Sequence, residues 1–387
     1  MTDRLSDLLR DEAEAIAVPA APVTSIVRSG RAALRRRRAT RGIGVLAAAG
    51  IVATGVGLTV ESGAPASAAQ ARFENAAAAP AYGTYGAFAA GRTVYIGNHQ
   101  VSFDEAVKSI YYTSTGVLVR TGEKAYLDDA GPSHYTLISP DGSTREVALD
   151  MGDRVPATDP ESPYLGYLDP VEGDASRWAF VVVDLRTGDE VARQFEHGAF
   201  TWGGWEAPPA SLAGDHLWGL FDDGWHELDW RTGATRVVPG TAGAMFEAAH
   251  GRYADSTARF TDAGPVPGQW RVRDFRTGAV QQSIADPGTI FGDLSPDGRY
   301  VQVVDDAWSV DGEPTATERR FVSVESGATV TLPGGVAYGW TPTGNTLSVD
   351  ADADRITVCD PADGTCDEIE LEIGSGKVKL GGLSYES

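Results

Sequence analysis

Three aspartates alternate along one short stretch of the sequence, at Asp350, Asp352 and Asp354. Alternating carboxylates open many calcium-binding loops, so this stretch is a candidate calcium site. The rest of an EF-hand loop is missing, because Arg355 stands where that loop needs glycine and Pro361 where it needs glutamate. These departures favour the alternative interpretation, an acidic hairpin tip without a metal.

The two cysteines, Cys359 and Cys366, lie on either side of a turn of polar and small residues. On the two arms of a hairpin their side chains would face each other. In an oxidising compartment we expect a disulfide between them, and the alternative is a pair of free, unreactive thiols.

Tryptophan is concentrated in one region, because five of the nine lie between Trp202 and Trp230. Trp202 and Trp205 enclose two glycines, which predicts a loop. Exposed aromatic side chains in a loop can stack on sugars or clamp a peptide, so these two residues are candidates for ligand binding. The alternative is that the tryptophans fill gaps between packed elements.

No local catalytic motif accompanies these residues. The six histidines lack metal-binding spacing such as H-E-x-x-H, and the sequence has no G-x-S-x-G elbow, P-loop or dinucleotide fingerprint. The sequence therefore assigns no catalytic residue and no cofactor other than the calcium candidate. A site assembled from residues far apart in the chain would leave no such motif.

A repeated phrase indicates which elements position these residues. Asp184–Gly188, Asp229–Gly233 and Asp274–Gly278 all have the sequence Asp-x-Arg-Thr-Gly at equal spacing, and looser copies place glycines at 142, 327 and 364. A period of roughly 40–45 residues is the length of one four-stranded propeller blade. The aspartate can bond backbone amides and the glycine can take a positive φ, so each phrase predicts a turn between the third and outermost strands of a blade.

The sequence thus predicts an all-β fold, a β-propeller over residues 82–387. Seven blades are favoured, with six and eight as alternatives. An extra hairpin around Gly97 and Asn98 at one end and a single leftover strand from Lys377 to Tyr385 at the other predict a ring that closes by pairing its two ends.

The region before the propeller predicts a membrane anchor. Residues 1–42 form a short tail that ends in a cluster of arginines, and residues 43–60 contain neither a charge nor a proline. This pairing is typical of a transmembrane helix with its positive flank in the cytoplasm. Residues 61–81 then form an Ala/Pro-rich linker. The alternative is a signal peptide cleaved near Ala68, and both interpretations export the propeller.

The charge limits the classes of partner. The chain carries a formal charge of −22 although residues 1–42 hold nine of its arginines, so the remainder is strongly acidic. Such a domain repels nucleic acid and anionic membrane surfaces, so we expect no nucleic-acid partner, and the charge favours cationic ligands, metal ions or basic protein patches as partners. Contact with the membrane is expected through residues 43–60 alone.

Two further segments carry a family resemblance. Leu294–Val301 has the sequence L-S-P-D-G-R-Y-V, and Trp340–Leu347 has W-T-P-T-G-N-T-L. With the repeated turns, they resemble the S-P-D-G signature of TolB-like, WD40-like bacterial propellers over residues 82–387. The whole layout resembles single-pass membrane proteins of actinobacteria. The resemblance implies a fold and a habit of binding other molecules, and no reaction.

Two departures limit this resemblance. The Trp-Asp dipeptide that ends eukaryotic blades is absent, so no class of partner carries over. The tail also lacks the metal ligands of zinc-type anti-sigma factors, because the first histidine is His99 and the first cysteine is Cys359.

The sequence therefore predicts a membrane-anchored, extracytoplasmic propeller that acts as a non-enzymatic binding or sensory scaffold for a protein or cell-envelope ligand. The alternative is a propeller hydrolase or lyase that acts on extracellular glycans. That alternative predicts carboxylates and an arginine or histidine together at one mouth of the central channel. A third possibility is signal transmission through residues 1–42.

Overall fold

A computed structural model of the protein describes residues 78–125, 132–152, 154–201, 206–242, 247–261, 264–286, 290–305, 318–333 and 337–383. Within these ranges the chain forms one helix, α1 (Ala78–Tyr85), followed by thirty short strands. The predicted tail, membrane span and residues 61–77 of the linker lie outside the described residues. None of the helical residues described here forms a segment long and apolar enough to cross a membrane.

The strands fall into successive antiparallel groups of up to four, each of which is a blade. They are β1 (Ala87–Ala90), β2 (Thr93–Ile96) and β3 (His99–Ser102) in blade 1; β4 (Ala106–Thr113), β5 (Gly116–Gly122), β6 (His134–Ile138) and β7 (Thr144–Val147) in blade 2; β8 (Ala157–Thr158), β9 (Tyr164–Pro170), β10 (Arg177–Asp184) and β11 (Glu190–His197) in blade 3; and β12 (Ala210–Ala213), β13 (His216–Phe221), β14 (Gly224–Asp229) and β15 (Ala234–Val237) in blade 4.

The remaining blades follow the same pattern, with one inserted hairpin in blade 5. They are β16 (Ala248–Ala249), β17 (Arg252–Ser256), the inserted hairpin β18 (Arg259–Thr261) and β19 (Gly264–Val266), β20 (Gly268–Asp274) and β21 (Val280–Asp286) in blade 5; β22 (Ile290–Leu294), β23 (Tyr300–Asp305), β24 (Glu318–Ser323) and β25 (Thr329–Pro333) in blade 6; and β26 (Gly339–Trp340), β27 (Thr346–Asp350), β28 (Arg355–Cys359) and β29 (Cys366–Glu370) in blade 7.

The last strand, β30 (Val378–Leu380), closes the ring. It pairs antiparallel with β1, with Ala89 opposite Lys379, and gives blade 1 its fourth strand. The predicted seven blades, closed by strands from the two ends of the propeller, are therefore confirmed. Because β30 completes blade 1, no strand at either end of the propeller is left outside a blade. The ring therefore lacks the unpaired strand edge that an open ring would expose.

The repeated phrase forms the predicted turn between the third and fourth strands of the blades. Gly188, Gly233 and Gly278 have φ of 84°, 76° and 69°. In the first copy, the Asp184 carboxylate accepts a hydrogen bond from the Arg186 amide at 2.8 Å. The looser copies at glycines 142, 327 and 364 occupy the same position in blades 2, 6 and 7.

Because neighbouring strands are antiparallel, their connections lie on two opposite faces of the ring. We call "turn face" the face with the connections from first to second and from third to fourth strands, such as residues 159–163 and 185–189. We call "loop face" the opposite face, with the connections from second to third strands and between blades, such as residues 171–176 and 351–354.

The core lies between the blades. Each of the main apolar clusters combines residues of two neighbouring blades, so no blade buries its faces alone. Trp225, Trp270 and Trp340 are fully buried in these interfaces. The Trp270 ring lies over Gly292 of the next blade, where a Cβ atom would come within 2.6 Å of it. Tight packing of large rings against glycine thus fixes how the blades fit together.

Helix α1 lies on the turn face beside the closing strands. The Tyr82 hydroxyl is within hydrogen-bond distance of the Thr113 and Gly116 carbonyls of blade 2, at 3.1 and 2.8 Å. The Thr343 hydroxyl of blade 7 donates to the Gly83 carbonyl at 2.7 Å. The sequence predicts linker up to residue 81 and strands beyond it, whereas the structure has helix over both. Pro80 is compatible with this helix because it lies in the first turn, where no amide donor is needed.

Candidate functional site

The central channel is lined by the first strand of each blade, and those from β30 through β4, β8 and β12 to β16 contact one another in succession. Near the turn face the channel holds a cavity of about 60 Å³. Its lining is mostly small and apolar: Ile110, Tyr111, Tyr112, Pro156, Ala157, Thr158, Pro160, Ala210, Ser211, Ala248, Ala249, Leu294, Pro296, Gly382 and Leu383. That volume holds about four water molecules. No carboxylate is among these lining residues, although Asp159 stands in the chain between two of them, Thr158 and Pro160.

A histidine–aspartate pair lies beside this cavity. Asp159 is almost fully buried, and its carboxylate accepts a hydrogen bond from the Gly214 amide of blade 4 at 3.0 Å. His250 of blade 5 places its Nδ1 3.6 Å from an Asp159 carboxylate oxygen. Burial alone would raise the pKa of Asp159, but contacts with His250 and Gly214 outweigh it and lower the pKa. The carboxylate in turn raises the pKa of His250. The pair therefore links blades 3 and 5 across blade 4.

Further out on the turn face, two arginines of the repeated phrase converge on one tyrosine. Arg186 and Arg231 each place Nη2 3.2 Å from the Tyr164 hydroxyl oxygen. Arg231 also stacks on Trp230, 3.8 Å from its ring centroid, and the Tyr164 ring meets Trp230 edge-on. We call Tyr164, Arg186, Trp230 and Arg231 the arginine–tyrosine cluster.

Each of these guanidinium groups is also held by a carboxylate. Arg186 donates through Nε and Nη2 to the two oxygens of Asp184, at 3.0 and 2.7 Å. Arg231 donates through Nε to Asp215 at 2.9 Å. These hydrogen bonds lower the pKa of Asp184 and raise that of both arginines, which are charged in any case. Two cations are therefore fixed side by side on a strongly acidic domain.

Toward the loop face, a buried carboxyl lies at the start of the inner strand of blade 5. Glu247 is almost fully buried, and its Oε2 has no hydrogen-bond partner among the described residues. Burial, with a smaller contribution from the charge of Asp293, raises the pKa of Glu247 to about 8. Asp293 itself accepts a hydrogen bond from the Trp340 ring at 2.8 Å. The raised pKa favours the neutral form of the Glu247 carboxyl at pH 7.

The alternating aspartates lie on the loop face, at the end of β27 and in the hairpin that follows. Asp350 accepts a hydrogen bond from the Ala353 amide at 3.1 Å. Asp354 has a positive φ of 47° and accepts a hydrogen bond from the Ile373 amide at 2.9 Å. In the part of the chain that the structure describes, no three His, Cys, Asp or Glu side chains form a group able to hold a metal ion. These contacts are those of a hairpin tip, and calcium binding by Asp350, Asp352 and Asp354 stays a prediction.

The two cysteines lie directly opposite each other on β28 and β29 and form a disulfide, with their Cα atoms 4.0 Å apart. The pairing that the sequence predicts is therefore present in the structure. Trp202 and Trp205 belong to the connection between β11 and β12, and they lie outside the described residues. Their role in ligand binding stays a prediction.

Sequence reasoning missed the arginine–tyrosine cluster and the His250–Asp159 pair. Arg186 and Arg231 occupy the same position of the repeated phrase, but Tyr164 lies outside the phrase and 67 residues from Arg231. Asp159 and His250 come from different blades. These contacts can be predicted only when it is known which turns of neighbouring blades lie on the same face of the ring.

No protein-family model and no curated protein sequence matches this chain. Solved structures do match. TolB from Acinetobacter baumannii is 12% identical with a TM-score of 0.37, and the match covers 76% of this chain and 65% of TolB. The propeller domain of Cps50 (Swd1) from Myceliophteria thermophila is 12% identical with a TM-score of 0.40, over 73% and 90% of the chains.

A periplasmic gluconolactonase from Pseudomonas aeruginosa is 14% identical with a TM-score of 0.40, over 78% of this chain and 98% of that one. Similarities this low do not transfer an activity or a ligand. The strand pairing makes the chain a seven-bladed β-propeller, and its structural neighbours include TolB, WD40-type and lactonase propellers.

Proposed function

We propose that this protein is a single-pass membrane protein whose propeller lies outside the cytoplasm and serves as a non-enzymatic binding or sensory scaffold. Residues 43–60 would anchor it and residues 1–42 would stay in the cytoplasm. A protein or cell-envelope ligand would dock on one face of the ring. Secretion after cleavage near Ala68 would leave the same propeller outside the cell.

The observation that carries this proposal is the lining of the channel at the turn face. A glycan hydrolase needs paired carboxylates around the scissile bond. The cavity is instead small and mostly apolar, and the single carboxylate described beside it, Asp159, is buried and engaged by the Gly214 amide and by His250. A rigid closed ring with such a channel is suited to presenting its faces to partners.

Two observations support an extracytoplasmic position. The Cys359–Cys366 disulfide is typical of oxidising compartments. The arginine cluster before residue 43 is the positive flank that a cytoplasmic segment carries beside a membrane helix.

The test is binding by the full-length protein in lipid nanodiscs, immobilised and exposed to purified envelope polysaccharides and to envelope protein extracts. We expect saturable binding to one of these that empty nanodiscs do not show. Absence of saturable binding to either would count against the scaffold. Release of reducing ends from the polysaccharides would favour the hydrolase or lyase instead.

A further inference from the structure

We infer that the arginine–tyrosine cluster is a docking point for a carboxylate on an acidic segment of a protein partner. This inference rests on the proposed scaffold function and adds to it a face of the propeller, the residues that carry recognition and the chemistry of the partner.

The first argument is an excess of hydrogen-bond donors at one point. The Tyr164 oxygen accepts from the Nη2 atoms of Arg186 and Arg231, which leaves its own O–H available as a further donor. The carboxylates bind Nε and Nη2 of Arg186 and Nε of Arg231. The Nη1 atoms of both arginines make no hydrogen bond to a described residue. Several donors without acceptors therefore surround one phenolic oxygen. A group with two acceptor oxygens, such as a carboxylate, matches this arrangement.

The second argument is that the donors are both accessible and fixed. The side chains of Arg186 and Arg231 are 55% and 52% exposed. Asp184 holds the first guanidinium with two hydrogen bonds, and Asp215 with the Trp230 ring holds the second. Because these side chains are already ordered, a ligand would lose little of its binding energy to immobilising them.

The third argument is composition. Arginine, tyrosine and tryptophan are the residues most enriched where protein interfaces concentrate their binding energy. Here all three are packed together on the turn face, where the half-buried Tyr164 and the buried Trp230 support the exposed guanidinium groups instead of offering a flat surface for a sugar. A protein side chain therefore fits the cluster better than a glycan ring.

The acidic character of the domain does not prevent this contact. Physiological salt screens the electrostatic field of this net charge beyond about 8 Å. The guanidinium groups would touch the carboxylate directly, within that distance, and the acids nearest to them, Asp184 and Asp215, are already hydrogen-bonded to those guanidinium groups. The overall negative charge would instead slow the approach of an acidic partner at low ionic strength.

The test uses the full-length protein in nanodiscs of zwitterionic lipid at about 150 mM salt. The probe is a fluorescein-labelled hexaglutamate peptide, and binding is read by fluorescence anisotropy. Labelled hexaglutamine measures binding without carboxylates, and labelled hexagalacturonate offers carboxylates on a glycan. The variants are Arg186→Ala, Arg231→Ala and Tyr164→Phe.

Arg276→Ala is the matched control, because Arg276 occupies the same position of the same phrase in blade 5 and is exposed, and among the described residues only Arg186 and Arg231 of the three phrases contact a tyrosine. We expect saturable hexaglutamate binding, no hexaglutamine binding, and a loss of about tenfold in affinity for Arg186→Ala and Arg231→Ala. We expect a smaller loss for Tyr164→Phe and an unchanged affinity for Arg276→Ala, with unfolding midpoints like that of the unmodified protein.

Equal losses for Arg276→Ala would show a diffuse charge effect and overturn the inference, as would absence of hexaglutamate binding. Tighter binding of hexagalacturonate would overturn the choice of a protein partner. If an envelope ligand binds the scaffold and none of the three variants changes its affinity, the scaffold function stands and this docking point is wrong.

Discussion

The Tyr112 hydroxyl of blade 2 donates a hydrogen bond to the Trp340 carbonyl of blade 7 at 2.8 Å, across the seam where the ring closes. The same oxygen accepts from the Ala87 amide of blade 1 at 2.9 Å. Burial raises the pKa of Tyr112, which keeps its proton in place. One phenol thus connects three consecutive blades beside the closing strands.

Replacing Tyr112 by phenylalanine should therefore weaken the seam. The change leaves a buried amide and a buried carbonyl without this partner, and we expect the free energy of unfolding to fall by about 2–3 kcal/mol. Urea unfolding of the full-length protein measures it. Tyr338→Phe is the control, because the one hydrogen bond of its hydroxyl to a described residue is with the nearby Pro333 carbonyl, and its loss should cost about 1 kcal/mol. Equal losses would show that Tyr112 has no special role in closure.

The disulfide between Cys359 and Cys366 should contribute modestly to stability. It closes a short loop within one hairpin, and the chain-entropy account gives about 2.5 kcal/mol for a loop of this size. We expect Cys359→Ser with Cys366→Ser to lower the free energy of unfolding by about that amount. The difference between the two proteins should disappear in excess dithiothreitol. A difference that persists there would assign the effect to packing.

Glu247 should make stability depend on pH. Its folded pKa of about 8 lies above the ordinary value of 4.5, so on raising the pH the unfolded chain loses this proton first. The contribution of Glu247 to the free energy of unfolding therefore decreases between about pH 4.5 and pH 8, by on the order of 1.4 kcal/mol per pH unit at most.

Glu247→Gln should remove that decrease, so the variant should match the original protein near pH 5 and exceed it by a few kcal/mol at pH 8. Urea unfolding at both pH values measures the difference. Glu325→Gln, at an exposed turn, is the control and should change stability equally little at both. A constant difference between Glu247→Gln and the original protein would contradict the raised pKa.

Two glycine-to-alanine substitutions should act in opposite directions. Gly233 has φ of 76° with open space around it, so alanine there would add backbone strain alone, at about 1–2 kcal/mol. Gly83 lies in α1, where a Cβ atom would meet Thr343 at an ordinary 3.6 Å. Alanine at 83 should stabilise the protein by about 0.5–1 kcal/mol. Thermal unfolding of both variants checks the signs, and a neutral Gly233→Ala would contradict the turn geometry.

The features predictable from sequence were those that repeat or are local. The phrase at Asp184–Gly188 contains its own carboxylate acceptor and its own glycine, so its turn follows from five residues. The even spacing of the phrase predicts the division into blades. The leftover strand near Lys379 predicts that the ring closes by pairing its two ends. Cys359 and Cys366 are likewise paired by the hairpin that joins them.

The features that escaped prediction depend on contacts between blades. Helix α1 is stabilised by Tyr82 and Gly83 bonding to turns of blades 2 and 7, and the proline and glycine within its eight residues do not favour a helix. Tyr164 of blade 3 contacts Arg231 only because the ring places blades 3 and 4 side by side, and the sequence alone does not show this contact. The pKa of Glu247 results from burial at a blade interface, which its neighbours in sequence do not reveal.

The central claim is a seven-bladed ring closed by β1 and β30, and an engineered cross-link tests it most directly. Ala90 lies opposite Val378 in that pairing, and opposed residues of antiparallel strands have Cα atoms about 4.5–5.5 Å apart, within disulfide range. Ala90→Cys with Val378→Cys, oxidised mildly as the folded full-length protein, should give a 90–378 disulfide in the monomer by peptide mass mapping. Ala90→Cys with Val191→Cys, which puts the second thiol on an outer strand of blade 3, should leave both thiols free. Free thiols at 90 and 378 in the folded monomer would contradict the closed ring.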